Sequence, residues 1–511
     1  MGLEAGVSET GEPGLRERVK APPSPELVEA YYAPAVARAL RWCFAADMQV
    51  HLAHGVMLAE CGIVDAAKIR PILAAVRALR EAGPGALAVD HTQEDLYSYV
   101  ERHIVRTLGV DVGGRLHTGR SRNDLNVTVW RMALRDALVA LLDDLARFRA
   151  TVLDRAAAHA GTVMPGYTHS QHAQPITLGY YLVAFADAVE RDAHRLTGAL
   201  RHVDACPLGA GALATTAFPI DRDRTAALLG FPELVEVAYD AVASRDDALE
   251  TVSALAVLMT GLSRLATDLQ AWNTAEYGFI ELDDSHSSVS SIMPQKKNPQ
   301  ALEYAKAAAG QVTGALVAAL SSAKNTAFGD VNDGVTSLNG PVLDAVDTTA
   351  KTIRLLDAVV AKLAVRPERM LQATEDGFGT ATELADTIVR ETGMSFRQAH
   401  AIVARVVRDA IASGKTAGRI DVADLDAAAH AVVGRPLGLS AETVRTALDA
   451  TANVAARTAT GGPAPAEMAR MLADRRTRLS TDEAATAAVA TRLKRAGEIL
   501  EDAVDGLLNA E

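Results

Sequence analysis

The stretch Ser290-Ser291-Ile292-Met293-Pro294-Gln295-Lys296-Lys297-Asn298-Pro299, with Glu303 just beyond it, concentrates chemistry: two hydroxyls, two cations, two amides and a carboxylate. Pro299 suits the first turn of a helix, where its missing N–H would be an orphan anyway. A long apolar-periodic run follows it. The spacing therefore predicts a polar loop feeding a helix N-terminus. Such a terminus offers free N–H donors and a positive dipole end, which suits an anionic ligand. On these residues alone, a solvated polar loop before a capped helix is an equally good reading.

Composition bounds the rest. The chain has 511 residues, 49% of them hydrophobic, enough to bury a large core, and its length suggests about three domains. The formal net charge is −13 and no basic block occurs, which argues against nucleic acid as a partner. Cys43, Cys61 and Cys206 are odd in number and far apart, so they read as reduced core thiols. No apolar run approaches membrane-spanning length, and no membrane partner is expected. Residues 1–25 carry Gly, Pro and mixed charge without an apolar stretch, and read as a disordered tail on a cytoplasmic protein.

Helical periodicity dominates. Val50, His54, Met57 and Cys61 recur at helical spacing, as do Ile69, Ile72, Val76 and Leu79. Gly113 to Asp124 combines glycines with Arg115, Arg120, Arg122, two hydroxyls and Asn123; a guanidinium fork of this kind grips a carboxylate, although a charged surface loop has the same look. Val127, Trp130, Leu134, Ala137, Leu141, Leu145, Phe148 and Val152 then form a narrow stripe suited to bundle packing. Met164 to His172 reads as a turn. No Cys, Asp or Glu stands at ligand spacing around His169 and His172, so no metal is expected, and no cofactor. Leu249 to Leu269 makes another long helical face, and Ile280 to Val289, rich in Ser and Asp, is a candidate lid. A helix follows Pro299, another runs from about Val342 to Leu363, and shorter segments begin at Pro367. Thr380 or Thr382 is placed to cap one of these, and a last helix spans about Thr481 to Leu507.

The opening stretch resembles the signature of the fumarase/aspartase superfamily, Gly-Ser-Ser-x-Met-Pro-x-Lys-x-Asn with a Glu five residues later; only Val289 departs, standing at the first Gly. His117-Thr118-Gly119-Arg120-Ser121-Arg122-Asn123-Asp124 closely resembles a motif of the argininosuccinate lyase branch. Gly166-Tyr167-Thr168-His169 is similar to the family's second motif, Gly209 to Ala214 to its glycine-alanine turn, and Thr380 to Asp386 to the start of its small C-terminal domain. The resemblance runs from about Glu26 to about Met471.

It implies an all-α, three-domain fold with a central long-helix bundle, assembled as a homotetramer whose active sites are shared between subunits. The expected boundaries are 26–119, 120–365 and 366–511. It also implies β-elimination of fumarate from an N-succinyl substrate. Ser290 would be the base as an alkoxide, Lys296 and Asn298 would stabilise the carbanion, and His169, oriented by Glu303, would do proton work. Ser121, Arg122, Asn123, Thr168, Gln174, Ser291 and Met293 would bind substrate, the first three holding the succinyl carboxylates.

Three departures stand out. The branch's N-terminal Leu-Trp-Gly-Gly-Arg-Phe is missing, and its Asn-Ala-Ser turn with a nearby Asp reads here as Tyr31-Tyr32-Ala33-Pro34 with Arg38 near the Asp position. The segment that carries a substrate-touching Lys and Gln reads Phe328 to Gly340 without them, before a helix expected from Pro341. Tyr97 occupies a His position. The succinyl half-site is thus intact and the amine half-site rebuilt, which favours a fumarate-releasing lyase acting on another N-succinyl compound. The alternatives are a divergent argininosuccinate lyase and a non-catalytic relative of the crystallin type; the retained Ser290, Lys296, Asn298 and His169 argue against the latter.

Overall fold

The computed structural model describes residues 21–510, apart from the side chains of 333–337. Most of the tail expected at 1–25 lies outside the described residues; a short helix starts at Pro25.

The N-terminal unit packs α1 (Ala33–Trp42), α2 (Phe44–Glu60), α3 (Ala66–Ala82) and α4 (Leu96–Leu108) around Leu52, Ile69, Val76 and Val100. Then α5 (Arg122–Ala158) runs for 37 residues, about 55 Å at 1.5 Å per residue. A hairpin, β1 (Val163–Thr168) with β2 (Gln171–Thr177), turns the chain back into α6 (Leu178–Val203). The central unit is completed by α7 (Asp246–Trp272), α8 (Gln300–Ala323) and α9 (Asn332–Lys362), with α5 packing on α6 and α9, and α8 between α7 and α9. The stripe Leu134, Leu138, Leu141, Leu145, Phe148 and Val152 is fully buried in this bundle.

After α10 (Pro367–Asp376), a small separate core forms among α11 (Ala381–Thr392), α12 (Phe396–Ala412), α13 (Val422–Val433) and α14 (Ala441–Leu448), centred on Leu384, Ile388, Ile402 and Leu425. The last helix, α15 (Pro465–Asn509), does not join it. Met468, Met471 and Leu479 pack into the bundle core, and Leu500 and Val504 into the N-terminal core. Ion pairs fasten it along its length: Arg475 with Asp187 at 2.8 Å, Arg149 with Asp482 at 2.5 Å and Arg80 with Glu501 at 2.5 Å. The unit expected at 366–511 therefore loses its last helix to the other two cores, because that helix's apolar positions face them.

Other expectations are corrected locally. Met164 to His172 is mostly strand, not just a turn. Pro299 is the residue before the helix instead of its first turn. The helix expected from about Val342 begins at Asn332 and carries Pro341 inside it. Thr380 precedes α11 but its side chain makes no cap hydrogen bond. Only Cys206 is fully buried; Cys43 and Cys61 are partly exposed. By length and composition α7 could cross a membrane, contrary to the reading of no such run. Its apolar face is buried by neighbouring helices, and it carries Arg264 and Asp268 within its span.

One carboxylate secures the start of α5. Asp124, fully buried, accepts from Ser121 N and Leu125 N on one oxygen and from Gly209 N and Gly211 N, both at 2.9 Å, on the other. Gly211 has φ +60°, and a Cβ there would meet the Thr215 carbonyl at 2.7 Å, so this turn needs glycine. Asp124→Ala strips the acceptor from these N–H groups. The expected loss is about 2–4 kcal/mol, from a lost cap and buried unpaired donors. A urea midpoint for Asp124→Ala equal to that of the parent would refute this role.

Candidate active site

At one end of the bundle, Ser121 caps α5. Its Oγ accepts from Asn123 N at 3.3 Å, in a capping box with Asp124. Asn123 Nδ2 donates to Ala212 O at 3.2 Å. Arg122 is half-exposed and ion-paired with Glu94 and, at 3.4 Å, with Asp95. Burial pulls its pKa down, but these carboxylates hold it above the ordinary value. A carboxylate ligand at Arg122 must therefore compete with Glu94. The guanidinium is oriented in advance but is not vacant.

At the other end, the β1–β2 hairpin closes with His169 and Ser170 at φ +54° and +59°. Positive φ at two adjacent non-glycine residues is strained, and such strain collects at functional sites. Thr168, His169 and Gln174 are exposed. Beyond α7, the ring of Tyr277 lies 6.0 Å from that of Tyr167 at the hairpin, and Ile280 and Glu281 pair with Val365 and Ala364 just after α9. The signature stretch follows as a second small hairpin, Ser288 and Val289 pairing with Asn298 and Lys297. Ser290 Oγ accepts from Met293 N at 3.0 Å and Ile292 N at 3.3 Å. Two N–H groups thus converge on the hydroxyl that would carry the negative charge. Ser291 to Lys296 are exposed, Met293 among them, and Asn298 Nδ2 reaches Ser288 Oγ at 3.4 Å.

The two neighbouring lysines behave oppositely. Lys297 contacts Asp284 at 2.7 Å, Glu281 at 3.3 Å and the Leu282 carbonyl at 2.5 Å, so it ties the candidate lid 280–289 to the signature. Lys296 has no side-chain partner among the described residues, which leaves its ammonium free for a ligand. Glu303 is exposed in the first turn of α8, and no hydrogen bond or ion pair joins it to His169 within one chain.

The expected residues thus form two groups, Ser121 to Asn123 at the start of α5 and Thr168, His169, Gln174 and Ser290 to Asn298 near its far end. About 55 Å of helix separates the starts of the two groups, so one chain does not bring them together.

Sequence reading missed a pocket beside Asn123. A cavity of about 80 Å³ opens where the N-termini of α5, α7 and α9 converge, lined by Asn126, Trp130, Arg245, Asp330, Asn332 and Asn339. Arg245 pairs there with Asp330 at 3.3 Å. The only signal in the sequence was the altered segment Phe328 to Gly340. The larger cavity, about 620 Å³, lies behind the hairpin between Tyr167, Tyr277 and Arg369 and is not lined by Ser290, Lys296 or Asn123. Among the described residues, no group of three or more His, Cys, Asp or Glu is placed to hold a metal ion.

The Lys297 anchoring has a direct readout. Lys297→Ala should speed amide exchange across 281–289 while leaving α7 and α8 protected. Unchanged exchange there would show that the segment is held by other contacts.

Known proteins resemble the chain in family and fold. Residues 37–314 match a family model described as Lyase, and residues 378–455 one described as Argininosuccinate lyase C-terminal. A protein named argininosuccinate lyase from Methanoculleus marisnigri is 43% identical, over 87% of this chain and 89% of its own. Another of that name, from Methanosarcina acetivorans, is 39% identical over 96% and 98%. The solved structure of an EDDS lyase variant with bound fumarate superposes with a TM-score of 0.86 at 36% identity, covering 96% of this chain and 97% of that one. The all-α bundle and the small C-terminal core fit that likeness, and the chain belongs to the argininosuccinate lyase branch of the fumarase/aspartase superfamily, as a carbon–nitrogen lyase.

Proposed function

We propose that the protein cleaves the C–N bond of an N-succinyl amino compound other than argininosuccinate and releases fumarate. The observation that carries this is the amine half of the site. Where the branch pattern has an acid, α1 presents Arg38, which packs against the backbone of Gly340. A Cβ at 340 would lie 2.5 Å from the guanidinium carbon. Arg38 has no ion-pair or hydrogen-bond partner among the described residues. One residue away, Asn339 lines the pocket beside Asn123, with Asp330 opposite Arg245. A cationic leaving group built for an acid at that place would face a cation instead, and an unmatched charged group costs more than the about 1–3 kcal/mol of a neutral one. Relatives of two different names, argininosuccinate lyase and EDDS lyase, support a branch that accepts more than one amine.

In this reading Ser290, as an alkoxide, takes the proton from the carbon next to a carboxylate of the succinyl unit. The C–N bond then breaks, and the electron pair leaves with the nitrogen, which His169 protonates. Negative charge grows on a group that is already anionic, so fixed donors lower the barrier: Lys296, Asn298 and the loop N–H groups. The N–H groups of Ile292 and Met293 favour the ionised hydroxyl of Ser290. Ser121, Arg122, Asn123, Thr168, Gln174, Ser291 and Met293 hold the succinyl carboxylates and carbon frame. Glu303 orients His169 from another subunit.

The assembly is a homotetramer with shared sites, and the protein is cytoplasmic. The helical surface supports the assembly. Tyr304, Val317 and Leu320 of α8 are exposed, and Gly310 and Gly314 between them have open space where a Cβ would stand. An apolar helix face with small residues suits close packing against another helix. A divergent argininosuccinate lyase is the second reading, favoured by the names of the relatives and by Asp330, which could meet a cation from a new direction.

Two measurements test the proposal. Ser290→Ala and Asn123→Ala should each abolish elimination with little change in melting temperature, yet tetramers reassembled from the mixed variants should regain activity. A residual rate within about tenfold of the parent, roughly 1.4 kcal/mol of barrier, removes Ser290 from the role of base. Argininosuccinate should be a poor substrate while another N-succinyl amine yields fumarate. A kcat/KM for argininosuccinate at or above about 10⁴ M⁻¹s⁻¹ would instead establish the second reading.

A further inference from the structure

Beneath the turn that carries Ser121, Arg122 and Asn123 lies a group of ionisable side chains with no part in the proposed chemistry. Asp47, His51 and His54 lie on one face of α2 at four- and three-residue spacing, with exposures of 2%, 0% and 1%. A helix rarely buries three such residues without a polar partner. Here the partner is the turn itself. His54 Nε2 lies 2.9 Å from the Thr118 carbonyl, and Arg120 Nη2 lies 2.7 Å from His51 Nδ1.

The chemistry of the second contact fixes its direction. A guanidinium only donates, so His51 Nδ1 accepts and the ring proton sits on Nε2. That nitrogen faces Asp47 Oδ2 at 3.2 Å, although not aligned as a hydrogen bond. Burial drives the His51 pKa down, against the pull of Asp47, which keeps the ring neutral and able to accept. Tyr97, at the position where the branch pattern has a His, closes the cluster. Its ring lies 6.2 Å from that of His51 and 4.9 Å from that of His117, and its hydroxyl donates to Glu101 at 2.5 Å.

Arg120 is itself nine-tenths buried, and its Nε and Nη1 have no hydrogen-bond partner among the described residues. A buried guanidinium with so few acceptors depends heavily on the one it has. Arg120 directly precedes Ser121, the cap of α5, so its side-chain anchor sets where that cap and Asn123 stand.

We propose that His51 is a positioning residue for the succinyl-binding turn, acting through Arg120, whose guanidinium it holds at Nδ1. The proposal rests on the reading of Ser121 to Asn123 as the carboxylate clamp. It assigns His51 no contact with substrate.

The test uses two amides of different length in the full-length protein. In His51→Asn the amide oxygen falls near the place of Nδ1 and can still accept from Arg120. In His51→Gln it falls near Nε2 and cannot. Fumarate affinity by titration calorimetry, and KM and kcat with an N-succinyl substrate, are read on both. His51→Gln should weaken fumarate binding and raise KM about tenfold, with kcat changed less than about threefold, while His51→Asn stays near the parent. A merely structural role would lower the melting temperature of both variants without this KM-against-kcat split. Equal fumarate affinity in parent and His51→Gln, or equal loss in both variants, overturns the proposal. If His51→Gln does not fold, Arg120→Met, which keeps the stem but cannot donate to Nδ1, stands in for it and should show the same split, its absence again counting against the proposal. A parent protein that binds no fumarate at all would count against the functional reading instead.

Discussion

A straight helix cannot bring its two ends together, and that constraint governs the rest of the molecule. The 37 residues of α5 hold the Ser121–Asn123 turn about 55 Å from the hairpin that presents Thr168 and His169. Each chain therefore carries the two groups of expected site residues toward opposite ends of one helix. The apolar, glycine-bearing face of α8 and the exposed signature loop make sense only against that background. They are surfaces without a partner in a single chain, on a bundle whose own core is already closed by α5, α6, α7 and α9.

Within each half-site, polar groups divide by whether they have a partner. Asp124, Arg131, Asp247 and Lys297 are paired inside the chain, and they build the scaffold. Ser290 has two N–H groups aimed at its oxygen, and Lys296 has no side-chain partner among the described residues. Arg122 is intermediate, oriented by Glu94 and Asp95 yet half-exposed. A site that must take up and release a dianion benefits from such an arrangement. In the proposed reading, Arg122 is held in place without being fully neutralised and Lys296 is left unneutralised, so both can meet the ligand's charge. The strained His169–Ser170 turn belongs to the same economy of position, because it pushes the imidazole outward from a rigid hairpin.

In the proposed reading, the amine half follows a different logic from the succinyl half. Arg38 stands against Gly340, and the neighbouring pocket is lined by asparagines and by the Arg245–Asp330 pair. These groups come from three separate helices and two loops. In that reading, substitution there would change which amine is matched without touching the bundle core.

Much of this was legible in the sequence. Fixed residues at fixed spacing identified the signature, the Ser121–Asn123 turn and the Gly-Tyr-Thr-His motif, and the 3–4 periodicity of Leu134 to Val152 identified the long helix, because both signals are local. Local signals failed where the deciding contacts are distant. The last helix reads as part of the C-terminal unit, but Met468 and Leu500 find their partners in two other cores. Pro341 reads as a helix start, yet it sits inside a helix that neighbours on both sides hold together. The pairing of His169 with Glu303 could not be judged from spacing, and a single chain does not form it. The sequence by itself determined the helices, the motifs and the chemistry of their side chains. Only the tertiary structure decided which of those side chains have partners and which half-site each belongs to, because burial and pairing depend on residues far apart in the chain.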